Sequence, residues 1–287
     1  MADLRGKTAV VTGGGRGLGR AFAQALDAAG ADVVVVARSA DELKDTAALL
    51  GPQACSFPCD IADAGAVAEI FAKIGPVDVL VNNAGVMGPI GPLWEVDFER
   101  WWAAMEVNVR GAMLCTRAVV PGMIARRSGR IVNLATGAIP AACLSAYMSS
   151  KTALVRATEC LAAELEPHGV FVFSVAPGTV RTKMTAHSLG SEEGRKWIPW
   201  FRRIFEEHLD LPPEKPAELI VELAAGRADA LTGLYLTPFD DLDQLVHHAE
   251  QVKAEKLHSL RVRTHASSRA PAALAAIRDA GNRAKES

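Results

Sequence analysis

The sequence predicts an α/β protein: a Rossmann-type, doubly wound parallel sheet of about seven strands with helices on both faces. Three observations predict it. Short apolar runs alternate with longer segments of helical periodicity along the 287 residues, the order that builds a parallel sheet through right-handed crossovers. Several runs are almost wholly apolar, such as Val33-Val34-Val35-Val36 and Val77-Asp78-Val79-Leu80-Val81, as strands buried on both faces are. A glycine-rich stretch, Thr12-Gly13-Gly14-Gly15-Arg16-Gly17-Leu18-Gly19, lies between the first run and the first helical segment. That strand–turn–helix context suits a dinucleotide, whose phosphates sit at the helix N-terminus.

Strands are expected at 7–12, 32–37, 54–59, 77–82, 130–135, 170–176 and 233–237, and helices at 17–29, 40–50, 64–74, 98–126, 145–166 and 214–226. In the glycine turn, Gly13 permits the bend, Gly17 lets a pyrophosphate approach and Gly19 lets helix and strand pack closely. Ser39-Ala40-Asp41-Glu42 reads as a capping box, and Asp63 and Asp97 as N-caps. Asn108 interrupts the long stretch 98–126. A single domain is expected over 1–240, in which the segment at about 184–213 carries Trp197, Trp200, Phe201 and Phe205 without clear strand character. A C-terminal extension follows over 241–287, helical from 241 to 257 and mobile from about 261.

Composition narrows the function. Hydrophobic residues make up 49% of the chain, charged residues 22%, and the formal charge is −2, so nothing points to nucleic acid. No apolar run is long enough to span a bilayer. Residues 1–7 enter the first strand without a signal-peptide layout, so a cytoplasmic protein is expected. Cys55, Cys59, Cys115, Cys143 and Cys160 form no CxxC pair. They read as small buried hydrophobes rather than a metal site or disulfide framework.

The spacing TGxxxGxG resembles the short-chain dehydrogenase/reductase family. Asn82-Asn83-Ala84-Gly85, Asn108, Tyr147-Met148-Ser149-Ser150-Lys151 and Pro177-Gly178 match further motifs of that family, in its order. The resemblance covers roughly residues 5 to 240, and it implies that 1–240 is the catalytic domain and that about 184–213 is its substrate lid. It implies an NADP(H)-linked carbonyl reductase with Tyr147, Lys151, Asn108 and a hydroxyl at the fifth strand's end as its machinery. The family's usual Ser is replaced here by Thr136, and the interval to Tyr147 is shorter than usual. Ser145 is a rival donor, although at a helix start it reads as a cap. The resemblance also has Asn108 hold a water that links Lys151 to solvent; by itself the residue reads as an amide that steadies a helix kink.

Tyr147 and Lys151 stand four apart, on one face of a helix. An unperturbed phenol titrates near pH ~10, and a nearby ammonium lowers that value, which suits proton exchange with an alkoxide. Lys151 is also expected on the nicotinamide ribose. For the adenosine end, the second strand closes on Ala37-Arg38, with no carboxylate there to repel a 2′-phosphate. Arg38 and Arg16 could bind that phosphate, which favours NADP(H). The resemblance places Asp60 and Ile61 at the adenine, the backbone of Asn83, Ala84 and Gly85 along the ribose and phosphates, and Pro177, Gly178, Val180 and Thr182 at the nicotinamide carboxamide. Gly13, Gly15, Gly17 and Leu18 complete the cofactor set.

Val86, Met87, Ile139, Cys143, Met184, Trp197 and Trp200 are candidates for an apolar or aromatic substrate pocket. The runner-up readings are an NAD-dependent alcohol dehydrogenase and a non-catalytic NADP(H)-binding sensor on the same fold. No metal, nucleic acid or membrane partner is expected. Helices 98–126 and 145–166 carry apolar residues such as Ala153, Leu154, Ala157, Leu161 and Ala162 on more than one face. They predict a homo-oligomer, a tetramer before a dimer.

Overall fold

The computed structural model describes residues 2–137 and 139–262. Among them, seven parallel strands form one sheet in the order β3-β2-β1-β4-β5-β6-β7. They are β1 (Thr8–Thr12), β2 (Asp32–Ala37), β3 (Cys55–Pro58), β4 (Val79–Asn82), β5 (Gly129–Leu134), β6 (Val170–Val175) and β7 (Tyr235–Leu236). The order reverses between β1 and β4, and ligands of such sheets bind beyond the carboxyl ends of the strands at that crevice.

Alternation along each strand divides the core into two layers. Ala9, Val11, Val33 and Val35 pack on one face against Phe22, Ala23 and Leu26 of α1 (Gly17–Ala28) and Ile220 and Leu223 of α10 (Glu214–Ala224). Val10, Val34 and Val36 face the other way. There they meet Val67 and Phe71 of α3 (Ala64–Ile74), Val119 and Met123 of α5 (Ala112–Arg126) and Leu165 of α6 (Ser145–Leu165). Burial of this kind is worth about 25 cal/mol per Å² of apolar surface.

The expected helix at 98–126 is three pieces. α4 (Phe98–Met105) runs into a π-helical turn, Glu106–Gly111, and then into α5. Asn108 sits within the wide turn, as its position in the sequence suggested. Asp63 and Asp97 cap α3 and α4 through their side chains. The capping box at Ser39 is only half formed. Ser39 Oγ accepts from the Glu42 N–H at 3.3 Å at the start of α2 (Ala40–Ala47), but the Glu42 carboxylate turns elsewhere.

The expected lid consists of α7 (Lys183–Gly190), α8 (Glu192–Trp197) and α9 (Phe201–Glu206). Beyond β7, α11 (Leu242–His247) and α12 (Ala249–Ala254) replace the single helical pattern expected over 241–257. Ala249 and Val252 bury into the same layer as α10 and β7. The chain then crosses the sheet edge. Tyr235 N donates to His258 O at 2.8 Å, and His258 Nδ1 lies 2.9 Å from Tyr235 O. Leu260 N donates to Glu159 Oε1 at 2.6 Å, and Arg156 donates to Leu260 O at 2.7 Å, which fixes this strap to α6. The tail from 263 onward lies outside the described residues.

The cysteines are free, but only Cys59 and Cys115 are buried; Cys55 and Cys160 are exposed and Cys143 is intermediate. Cys55 lies on the edge strand β3, where little covers it. Among the described residues no helix is long and apolar enough to cross a membrane, and no cluster of His, Cys, Asp and Glu could hold a metal ion.

Candidate active site

A cavity of about 360 Å³ opens where the carboxyl ends of the strands meet the glycine turn. Gly13, Gly15, Arg16, Gly17 and Leu18 form one wall. Arg38 comes from the end of β2, Asp60 and Ile61 from the end of β3, and Asn83, Ala84 and Gly85 from the end of β4. Tyr147 and Lys151 project from α6, and Pro177 and Thr182 from the loop after β6. Four expected site residues, Asn108, Thr136, Gly178 and Val180, are absent from the lining of this cavity. Gly178 backs onto Leu211, and Val180 is buried and bridged to the same residue.

The turn has its shape for local reasons. Gly13 has φ +65°, and a Cβ there would come within 2.8 Å of Ala84 Cα. A Cβ on Gly19 would lie 2.1 Å from Gly13 O, the close packing its position predicted. Thr12 Oγ1 accepts from the N–H groups of Asn83 and Ala84 at 3.1 Å each, and Asn83 Nδ2 donates to Thr12 O at 2.8 Å. The ends of β1 and β4 are thereby tied together. Behind them, Asn82 Nδ2 donates to Thr116 Oγ1 at 3.0 Å and to Asn133 Oδ1 at 2.9 Å. Asn133 in turn donates to Thr158 at 2.9 Å. A connected buried polar network of this kind gives the two helices one register on the sheet.

Lys151 is buried, and its Nζ donates to Leu134 O at the end of β5, at 2.7 Å. It stands 5.9 Å from the centroid of the Tyr147 ring. Burial pushes the Tyr147 phenol up to about 12 and the Lys151 ammonium down to about 8. This corrects the expectation that the lysine lowers the phenol. The ammonium stands beside the ring and bonds to a carbonyl, so desolvation dominates both groups. Tyr147 is therefore a neutral acid through the neutral pH range.

Asn108 lies behind the wall rather than in it. Its Oδ1 accepts from Val86 N at 2.7 Å, and its Nδ2 donates to Val86 O and to Ser150 Oγ, both at 2.9 Å. One amide thus clasps the loop after β4 to the helix that carries Tyr147 and Lys151. Gly85 makes the approach possible, since a Cβ there would meet Asn108 Oδ1 at 3.1 Å and Lys151 Nζ at 3.2 Å.

Thr136 follows β5 as expected, partly exposed, with its carbonyl accepting from the Tyr235 hydroxyl at 3.2 Å. Ser145 is not a cap. It is the first residue of α6, and its hydroxyl accepts from the Trp101 indole at 2.9 Å.

The end of the cavity expected to take the adenosine also holds a carboxylate. Glu42 Oε1 accepts from Arg16 Nη1 at 2.9 Å and from Lys183 Nζ at 3.1 Å, on the cavity wall beside Arg38. The absence of a carboxylate at Ala37 therefore does not make this end free of one. The Ser39–Glu42 spacing drew attention to helix capping, and nothing local announced that Lys183 lies opposite.

Among the substrate candidates, Val86 and Met184 line the cavity, while Met87 and Trp197 join an apolar cluster with Ile90, Leu144 and Ile198. Ile139 and Trp200 are exposed. Cys143 adopts φ +65°, and its carbonyl accepts from Gly91 N at 2.8 Å. These last three do not line the cavity.

Residues 7–193 match the family model for short chain dehydrogenases. The chain is 36% identical over 266 residues to a short chain dehydrogenase of Pseudocercospora fijiensis, covering 88% of this chain and 86% of that one. It is 35% identical over 240 residues to a 2,5-dichloro-2,5-cyclohexadiene-1,4-diol dehydrogenase of Sphingobium indicum, covering 81% and 95% respectively. Among solved structures, one assigned as an NAD(P) dependent gluconate 5-dehydrogenase of Beutenbergia cavernae, with NADP at low occupancy, superposes with a TM-score of 0.74 at 34% identity, covering 82% of this chain and 96% of that one.

Proposed function

Because the chain belongs to the short chain dehydrogenase family, we propose that it is an NADP(H)-dependent oxidoreductase that interconverts a carbonyl and an alcohol on an apolar or aromatic small molecule. The observation that carries this reading is the pair Tyr147 and Lys151, one helical turn apart, on the same cavity as the glycine turn. The donor set suits a dinucleotide. A side chain at Gly13 would close the turn against Ala84, and the cavity's other end is lined by Arg16, Arg38 and Lys183. The bound nicotinamide supplies or accepts hydride.

The chain's own groups do the rest. Tyr147 gives its proton to the alkoxide oxygen during reduction and recovers it during oxidation. The Thr136 hydroxyl donates to the carbonyl oxygen and orients it. Lys151 would hold the ribose hydroxyls of a bound cofactor, and its charge stabilises the phenolate left by proton transfer. Asn108 positions α6 against the loop after β4. Residues 1–240 form the catalytic domain in this reading, with the lid at about 184–213 and the extension following.

Glu42 favours a second reading, an NAD-dependent alcohol dehydrogenase, because a carboxylate at the adenosine end suits ribose hydroxyls. The test is a panel of cyclic diols, alcohols and ketones, assayed by nicotinamide absorbance with NADP(H) and NAD(H) in parallel. Turnover of a cyclic alcohol or ketone with NADP(H) is expected. Turnover with NAD(H) alone overturns the cofactor assignment. No turnover across the panel, together with cofactor binding, favours a sensor.

A further inference from the structure

Three elements meet over the adenosine end of the cavity: the glycine turn through Arg16, α2 through Glu42, and α7 of the lid through Lys183. Arg38 lines the same end and has no carboxylate partner among the described residues. The cations Arg16, Arg38 and Lys183 gather at this end, as a phosphate monoester requires, with the carboxylates of Glu42 and, further along the wall, Asp60 beside them. Glu42, however, already occupies two of the three cations. Its side chain is mostly covered, with 24% exposed.

We propose that Glu42 sets the discrimination between NADP(H) and NAD(H), as a counter-ion for Arg16 and Lys183 that a 2′-phosphate has to displace. The inference rests on the nicotinamide-cofactor reading above. A phosphate oxygen and a carboxylate oxygen want the same donors, and both carry negative charge, so they cannot share Arg16 and Lys183 without repulsion. Burial opposes ionisation of Glu42, but the hydrogen bonds from Lys183 and Arg16 hold it below the usual carboxylate range. It is therefore charged wherever the enzyme would work. A ribose that lacks the phosphate leaves the pair undisturbed. The carboxylate thus narrows the advantage that Arg38 gives the phosphorylated cofactor.

Calorimetric titration with 2′,5′-ADP and with 5′-AMP tests this without turnover. Glu42→Gln keeps the size of the side chain and the Ser39 bond to the backbone N–H. It is expected to tighten 2′,5′-ADP by about fivefold and to leave 5′-AMP within about twofold. Lys183→Met is expected to weaken 2′,5′-ADP and to shrink the gain from Glu42→Gln in the double variant. Unchanged or weaker 2′,5′-ADP binding by Glu42→Gln overturns the proposal. So does a marked loss of 5′-AMP binding, which would make Glu42 a ribose acceptor. If the unaltered protein shows no preference for 2′,5′-ADP while Glu42→Gln gains one, the role of Glu42 stands and the NADP(H) assignment falls. If the preference exists and Glu42→Gln does not change it, the assignment stands and the role of Glu42 falls.

Discussion

Lys151 is a charged group held where charge is disfavoured. Its folded value of about 8 lies below the unfolded value of 10.5. Between those values the unfolded chain binds more protons than the folded one, so stability rises with pH across that window and is penalised below it. Lys151→Met should therefore stabilise the cofactor-free protein at pH 7 by about 2 kcal/mol after loss of the bond to Leu134 O, while turnover disappears. Thermal melts at stepped pH check this, and the advantage should fade as pH rises from 8 to 10.5. Tyr147→Phe should lower turnover by about 10²–10⁴-fold and leave cofactor binding intact. Thr136→Ala should be damaging and Thr136→Ser mild; the opposite pattern, with Ser145→Ala the damaging change, would move the carbonyl donor. The spacing of Tyr147 and Lys151 was legible because four residues make one helical turn. The direction of their pKa shifts was not, since desolvation depends on what covers a side chain and no local pattern states that.

The turn around Asn108 shows what an irregular element can do that a straight helix cannot. A wide turn at Glu106–Gly111 places one amide across both backbone groups of Val86 and the Ser150 hydroxyl. Asn108→Ala should leave those groups without their partner in a buried place and lower stability by about 2–3 kcal/mol. Turnover should fall more than cofactor affinity, as a kcat against KM comparison would show, because α6 carries the proton donor. Asn108→Asp should restore part of the clasp, since Oδ1 still accepts from Val86 N. The strands were legible from runs such as Val33-Val34-Val35-Val36, which burial on both faces makes continuously apolar. The segment expected as a lid was less so. α7, α8 and α9 are short, and α8 and α9 pack Trp197 and Phe201 against a small apolar cluster that forms only when Ile90, Leu144 and Ile198 come together from distant parts of the chain.

At the scale of the molecule, the sheet order and the place of the crevice follow from alternation and from the glycine turn, and both were readable. The path of the C-terminus was not, because its contacts with Tyr235, Glu159 and Arg156 join residues far apart in sequence. α5 and α6 still present Arg117, Ala118, Pro121, Cys160 and Ala163 outward, and light scattering should give a discrete oligomer, with a monomeric mass at micromolar concentration as the contrary result. An open parallel sheet is in principle a template without an end: each edge strand offers its N–H and C=O groups to any strand that arrives. At β7 the first taker is the same molecule, through His258. That places a boundary on growth inside the sequence itself. A chain shortened before His258 should lose that boundary and form larger, polydisperse species by the same light scattering, and a shortened chain of unchanged mass distribution would show that β7 needs no guard.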